Sequence, residues 1–312
     1  MLNETDWLKF AEANNLTYDD LKTLEDIARV SGIYYGWSGG KSFFGRDGMA
    51  NLFIAASKMF GTEIFEVKNG AGKININKEV MKKIWDNYYV PYISGYFSAY
   101  GRFRSDDTKV GDILAYVGST ASASFFPDEV TVDGNVYPIG AKILPAPLFE
   151  GGKKVMIQQG AGMVVTKSTP EEEYASAVFL KWFTETGINI EFAALSAYMP
   201  VKKEAADYEV LKAHVDGSDI TLDRKVDETL KVSLNEIKTS ELYSNKAFKG
   251  GADARLILER DLQDKAVDDR EFVLLTIDLG HSHEEAVALF NTEEKFNEWL
   301  ENITAKLNEA AK

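Results

Sequence analysis

Apolar residues recur at helical spacing from Leu16 to Val30, "LTYDDLKTLEDIARV", where Leu21, Leu24, Ile27 and Ala28 share one face. The spacing predicts a helix there. The next stretch, "SGIYYGWSGGKSFFGRDG", reads as a loop rich in glycine and aromatic residues. "MANLFIAASKMFG" is apolar nearly all round, the pattern of a buried helix, and it should stop at Gly61. In "KEVMKKIWDNYYVPYISGYF" the residues Met81, Ile84, Trp85, Tyr88 and Tyr89 form one apolar stripe. Pro91, which has no N–H to donate, is expected to end that helix.

Strand patterns follow. "GDILAYVGSTASASFFP" carries a short apolar strand, Ile113 to Val117, and then a turn of small polar residues. "GAKILPAPLFEGG" is a second strand, broken at Pro145 and Pro147, and "VMIQQGAGMVVT" is a third with a glycine break. The following helix has a marked start, with Thr169 as N-cap, Pro170 in the first turn and Glu172 three residues after the cap. Its inner face should be Ala175, Val178, Phe179, Trp182 and Phe183. From about Tyr208 onward the pattern is mostly helical with charged outer faces, and Ser282 to Glu285 reads as another capping box. Strands interleaved with helices predict an α/β architecture, and 312 residues suggest about two domains.

Charge narrows the classes. The formal net charge is −14, a poor basis for binding nucleic acid or an anionic membrane, both of which need clustered cations. The chain has no cysteine, which excludes disulfides, thiol nucleophiles and cysteine-ligated metals. No apolar run approaches the ~18 residues of a membrane span. The first residues, "MLNETDWLKFAEANN", have neither the basic nor the apolar region of an export signal.

Catalytic chemistry is hard to place. With only His214, His281 and His283, no Ser/His/Asp set can be assembled, and "HSH" reads as a solvated helix start rather than a metal site. Acidic pairs suited to glycoside hydrolysis are too numerous to be informative. The "GAGMVV" segment lacks the third glycine and the helix placement of a dinucleotide loop. No cofactor and no metal are expected. Aromatic and small hydroxyl residues are plentiful by contrast: Trp37, Phe43, Phe44, the tyrosines from Tyr88 to Tyr100, and Ser119, Thr120 and Ser122. Such residues suit either core packing or the faces and hydroxyls of sugars, with Trp37 and Phe44 leaning to the second use by their loop setting.

Four segments taken together, "DILAYVGSTAS", "KILPAPLFEGG", "GAGMVVTKSTPEEEYASAVFLKWFT" and "SAYMPVKKEA", resemble the extracellular solute-binding proteins of ABC importers, of the maltose-binding and glycerol-3-phosphate-binding type. The resemblance runs from Thr5 to about Arg260. It implies an α/β, type II periplasmic-binding fold with two lobes joined by hinge strands. Residues 1–146 and 201–312 would form the C-terminal lobe, and 147–200 part of the N-terminal one. Relatives usually carry a long segment before the one that "LNETDWLKFAEANNLTYDDL" resembles. The resemblance therefore implies an incomplete N-terminal lobe, with the export signal and anchor lost alongside it. A lobe short of strands exposes sheet edges, which would favour dimerisation or segment swapping.

Carried over position by position, the family's ligand contacts fall on Trp37, Arg46, Asp47, Ser119, Thr120, Gly160, Tyr198 and Arg255, with Phe248 as a weaker stacking candidate. Gly160 would be a lip of the cleft. Tyr198 and Arg255 match the tyrosine and arginine of the phosphate-ligand branch, an arginine fork being suited to phosphate; a surface helix charge is the other reading of Arg255. The implied function is extracytoplasmic capture of a sugar, oligosaccharide or glycerol phosphate by hinge closure, for delivery to an ABC permease, with no reaction catalysed. The alternatives are a carbohydrate-active enzyme and a surface adhesin without a transport role.

Overall fold

A computed structural model describes residues 1–312. The chain opens with β1 (Leu2–Asn3) and α1 (Glu4–Asn14), capped by the Asn3 side chain on the Asp6 N–H. A single 3-10 turn, Tyr18–Leu21, precedes α2 (Leu24–Ser38), whose N-cap is Thr23. The helix expected from Leu16 is thus two, because Thr17 and Thr23 each cap a new start. The aromatic loop expected after it is a further correction. Residues up to Ser38 continue α2, which stops at Gly39 in the left-handed region. Phe43 and Phe44 are buried, with Phe44 in β2 (Phe44–Arg46). Glycines at 36, 39 and 40 suggest a loop, but Ile27, Val30 and Tyr34 anchor the helix to the core.

The buried helix α3 (Met49–Met59) is where its pattern places it. The hairpin β3 (Phe65–Lys68) and β4 (Ala71–Ile74) follows, then α4 (Lys78–Ile84), a π-helical turn over Trp85–Tyr89 and α5 (Val90–Ile93). Pro91 does not end this helix. Val90 donates to the Trp85 carbonyl five residues back, and the widened turn carries the chain past the missing N–H. Next come α6 (Arg104–Lys109), β5 (Ala115–Val117), the hairpin β6 (Glu129–Val132) and β7 (Asn135–Pro138), β8 (Ala141–Lys142) and β9 (Val155–Ile157).

The third expected strand is shorter than its apolar run. From Gln158 to Thr169 there is no regular structure, and Met163 and Val164 are exposed. β9 has one neighbour, and a strand without a second partner leaves its backbone groups to water. Helix α7 (Pro170–Phe183) begins with the predicted Thr169–Glu172 capping box. Its expected inner face is not inside: no residue of α7 is buried, and Val178, Phe179 and Trp182 are 46–49% exposed. The remainder is α8 (Thr186–Ser196), α9 (Tyr208–Asp216), α10 (Arg224–Glu236), β10 (Glu241–Tyr243), α11 (Gly251–Asp278), α12 (His283–Ala288) and α13 (Glu293–Ala310).

The principal sheet has the order β2-β5-β1-β8, with β2 and β5 parallel and β1 antiparallel to both its neighbours. Its main core combines α1 to α5 with α11 and α13, and includes Trp7, Phe53, Trp85, Leu258 and Phe296. A second core unites Ile190 and Ala194 of α8 with Leu211 of α9, Leu230 and Leu234 of α10, and Ala123. It therefore draws residues from both sides of the lobe boundary expected at Val201. His283, read from sequence as a solvated cap, shares a 2.8 Å hydrogen bond with the Ser94 carbonyl and lies against Tyr96.

Candidate functional site

The parallel strands β2 and β5 end together, Arg46 opposite Val117. Beyond this point the two chains part, and open α/β sheets bind ligands in the crevice so formed. The Asp47 N–H donates to the Val117 carbonyl at 2.9 Å, and Gly48, left-handed at φ 72°, turns the chain into α3. On the other side Gly118 starts a tight turn in which the Ser122 hydroxyl donates to the Ser119 carbonyl at 2.6 Å. A Cβ at Gly118 would lie 2.6 Å from that hydroxyl and 3.0 Å from the Tyr116 ring, so glycine is required for the turn to close.

A buried ionic knot fixes the Asp47 side. Arg104, whose side chain is 4% exposed, pairs with Asp107, donates to the Ser98 and Gly101 carbonyls, and lies 3.4 Å from Asp47. Asp107 in turn accepts the Gly101 N–H at 2.6 Å. Burial raises the Asp47 carboxyl above the usual range, and the charge and hydrogen bonds of Arg104 oppose that rise. The knot packs tightly, since a Cβ at Gly45 would meet the Arg104 Cδ at 2.8 Å and the Ser98 carbonyl at 2.9 Å. Arg46 keeps partial exposure, but its Nε is enclosed without a partner. Burial pulls its guanidinium down to about 10, with Tyr88, Glu259 and Asp47 holding the positive form.

One helical turn into α3, Asn51 accepts a 3.0 Å hydrogen bond from Arg255 of α11, which also donates to Asn245 at 3.2 Å. Both partners are neutral amides, and Arg255 forms no ion pair. A neighbouring residue of α11, Glu259, accepts the Ala50 N–H at 2.9 Å. Arg46, Asp47, Ser119, Thr120 and Arg255 are thus gathered at one edge of the sheet and the start of α3.

Behind the Gly118–Thr120 turn lies a half-open cavity of about 150 Å³. Its walls are the ends of β2 and β5, the Ile143–Pro147 segment and one face of α10. Lys225 holds α10 there, donating to the Phe126 carbonyl at 3.0 Å and pairing with Asp128 at 2.8 Å. A larger hollow of about 550 Å³ lies between Met163–Val165 and α7. It is open and nearly all apolar, with no convergent polar groups to orient a hydrophilic solute, and is the weaker candidate.

None of the other sequence-derived candidates lines the cavity behind the Gly118–Thr120 turn. Trp37, in the last turn of α2, precedes β2 and packs on Phe10 and Tyr34 with ring centroids 5.4 and 5.9 Å away. Gly160 lies in the irregular segment after β9 with no atom near its side-chain position. Tyr198 follows α8, 45% exposed, and its ring faces Phe192. Phe248 is spent on packing, 5.2 Å from Phe65 and over Gly72. Sequence reasoning missed Asn51, Arg104 and the α10 wall. For α10 a signal existed: Val226, Leu230 and Leu234 form one stripe, and Thr229 and Ser233 a second, each four residues apart.

Residues 3–216 match the family model described as bacterial extracellular solute-binding protein. Solved structures with the same fold include the cyclic α-maltosyl-1,6-maltose-binding protein of Arthrobacter globiformis, at 15% identity and TM-score 0.61, covering 99% of this chain and 68% of that one. Maltose-bound MalE3 of T. maritima is similar at 14% identity and TM-score 0.54, covering 96% of this chain and 68% of that one. UgpB of Mycobacterium tuberculosis, in complex with glycerophosphocholine, is similar at 14% identity and TM-score 0.62, covering 99% and 67%. At these identities the likeness shows the fold, the two-lobed α/β fold of periplasmic solute-binding proteins. No curated protein sequence matches the chain.

Proposed function

The chain belongs to the bacterial extracellular solute-binding proteins, and from that premise we propose that it captures a sugar, oligosaccharide or glycerol phosphate for an ABC permease. The observation that carries this reading is the end of β2 and β5, where Arg46 and Asp47 come beside the turn bearing Ser119 and Thr120 and Arg255 is tied to Asn51 in the first turn of α3. Backbone groups, hydroxyls and a guanidinium offer hydrogen bonds to a hydrophilic solute. Relatives of the same fold bind maltose or glycerophosphocholine, which frames the solute class. Arg255, held by two amides and no carboxylate, would receive a phosphate; the hydroxyl-bearing turn would receive a sugar or glycerol unit.

In this reading two lobes close around the solute, with α8 staying on the α9–α10 side through their shared core, and closure is favoured only as far as the solute binds the closed form better. The family places the protein outside the cytoplasm, and no helix is long and apolar enough to cross a membrane. Membership of the solute-binding family supports binding rather than hydrolysis. A glycosidase needs two carboxyl groups flanking the bond it breaks. At this edge Glu236 pairs with Lys154 at 2.8 Å and Asp47 lies 3.4 Å from Arg104, so both carboxyl groups are engaged by cations.

Calorimetric titration with maltose, longer maltosaccharides, glycerol 3-phosphate and glycerophosphocholine tests the reading. One class should bind, and at about 100 times its dissociation constant should add ~2.7 kcal/mol to stability. Arg255→Gln should weaken phosphate-bearing solutes more than about tenfold and leave neutral sugars nearly unchanged. Binding by none of the panel, or release of free sugar from a bound saccharide, would overturn it.

A further inference from the structure

Thr229 sits inside α10, 2% exposed, and its hydroxyl has no hydrogen-bond partner. A helical threonine ordinarily returns its hydroxyl to a carbonyl one turn back, as Thr108 and Thr304 do here. A buried hydroxyl left unpaired is unfavourable, and a buried polar group of this kind calls for a partner. Thr229 lines the cavity behind the Gly118–Thr120 turn, with Val232, Ser233 and Glu236 on the same face of its helix. Ser119 and Thr120 face it from the other side.

We propose that this cavity is the subsite for the uncharged, hydroxylated end of the solute, and that Thr229, whose hydroxyl is closed off here, turns that hydroxyl to the solute as its enclosed hydrogen-bond partner. The volume, about 150 Å³, equals roughly five waters at ~30 Å³ each, room for one glycerol-sized or half-sugar unit. Hydroxyl side chains from two elements face a lining that is otherwise mostly apolar, which suits a polyol with its alternating C–H and O–H surfaces. The lining contains no lysine or arginine and one carboxyl group, that of Glu236; the Met1 amine, also in the lining, donates to the Tyr116 carbonyl at 2.9 Å and is pulled down to about 5 by burial. A phosphate or sulfate is therefore disfavoured here, whatever Arg255 does at the edge. The inference rests on the solute-binding reading and adds to it the chemistry of one end of the site and residues outside the family match.

The test is threonine-methyl NMR on the whole chain, with the Thr229 signal identified by its loss in Thr229→Val. Glycerol or maltose should shift that signal saturably, and inorganic phosphate should not. In calorimetry Thr229→Val should bind the polyol that acts on the parent about tenfold more weakly, and Thr229→Ser within about threefold of the parent. Thr229→Val should melt at the same temperature as the parent or higher, because the hydroxyl it removes has no partner to lose. A Thr229 signal unmoved by both glycerol and maltose, or moved by phosphate, overturns the proposal. A lower melting temperature for Thr229→Val, with Thr229→Ser normal, overturns it too by giving the hydroxyl a structural role. Heat of binding without a Thr229 shift would leave the solute-binding reading standing and this subsite wrong. A Thr229 shift with glycerol, when no transported-solute candidate gives heat, would leave the subsite standing and that reading wrong.

Discussion

Arg104 shows how much of the candidate site depends on one side chain. Its charge is almost fully enclosed and is shared between Asp107 and Asp47, while its guanidinium also ties two carbonyls of the Ser98–Gly101 loop. Arg104→Met would keep the stem and leave the enclosed Asp107 carboxylate and the partly exposed Asp47 without their cation. Breaking such a pair costs about 3–5 kcal/mol, so the denaturant midpoint should fall steeply. Addition of Asp107→Asn should recover part of the loss, since one unpaired charge is then gone; no recovery would show the carboxylates to be solvated enough not to need Arg104. Nothing in "RFRSDDTKV" marks this arginine as buried, because its partner Asp47 is 57 residues away. Phe44 errs the other way. Its glycine-rich surroundings read as a loop, yet it is a core strand residue at 2% exposure.

At the scale of elements, capping was the most legible feature. Thr169 and Ser282 start their helices as their motifs require, with reciprocal hydrogen bonds to Glu172 and Glu285. Such contacts span three residues and need no tertiary help. The direction in which a helix faces does need it. The apolar residues of α7 are patterned for burial, but its main packed neighbour is α8, and they stay about half exposed. Phe179→Ser and Trp182→Ser should therefore change unfolding free energy by less than about 0.5 kcal/mol each. They should also reduce self-association, measured by light scattering, because the exposed apolar face shrinks. A loss above about 2 kcal/mol would show that this face is covered in solution. The turn around Pro91 is similar in kind: the proline was visible, but only packing of Trp85, Tyr88 and Tyr89 into the core keeps the helix running through it.

For the molecule as a whole, the tyrosines set its behaviour in alkali. Burial raises Tyr18 and Tyr137 to about 12, helped by hydrogen bonds to Glu4 and Asp6. Burial also raises Tyr92 to about 12, and Tyr34, Tyr88, Tyr89 and Tyr116 are pushed up further. In the unfolded chain a phenol loses its proton near ~10. The folded form thus holds more protons above that pH, and stability falls as pH rises from about 10 through 12. Below about pH 10 this contribution is complete and flat. Absorbance of phenolate at 295 nm should lag behind that of free tyrosine and then rise together with loss of near-UV circular dichroism. Independent ionisation of most tyrosines near pH 10 in a folded chain would refute the shifts.

What the sequence by itself determined is local or periodic: the buried helix α3, the capped starts of α7 and α12, the short strand β5 with its small-residue turn, and the α/β class. Motif order extended this to the family and the fold. These properties follow from contacts within a few residues, or from a pattern repeated along one element. Only the tertiary structure decided that Arg255 reaches Asn51, that Arg104 secures Asp47, and that the face of α10 bearing Thr229 closes a cavity behind Ser119. It also packed Trp37 on Phe10 and Phe248 on Phe65. The three contacts made by Arg255, Arg104 and Thr229 depend on residues between about fifty and two hundred positions apart, whose meeting is fixed by the packing of whole elements and not by any local preference.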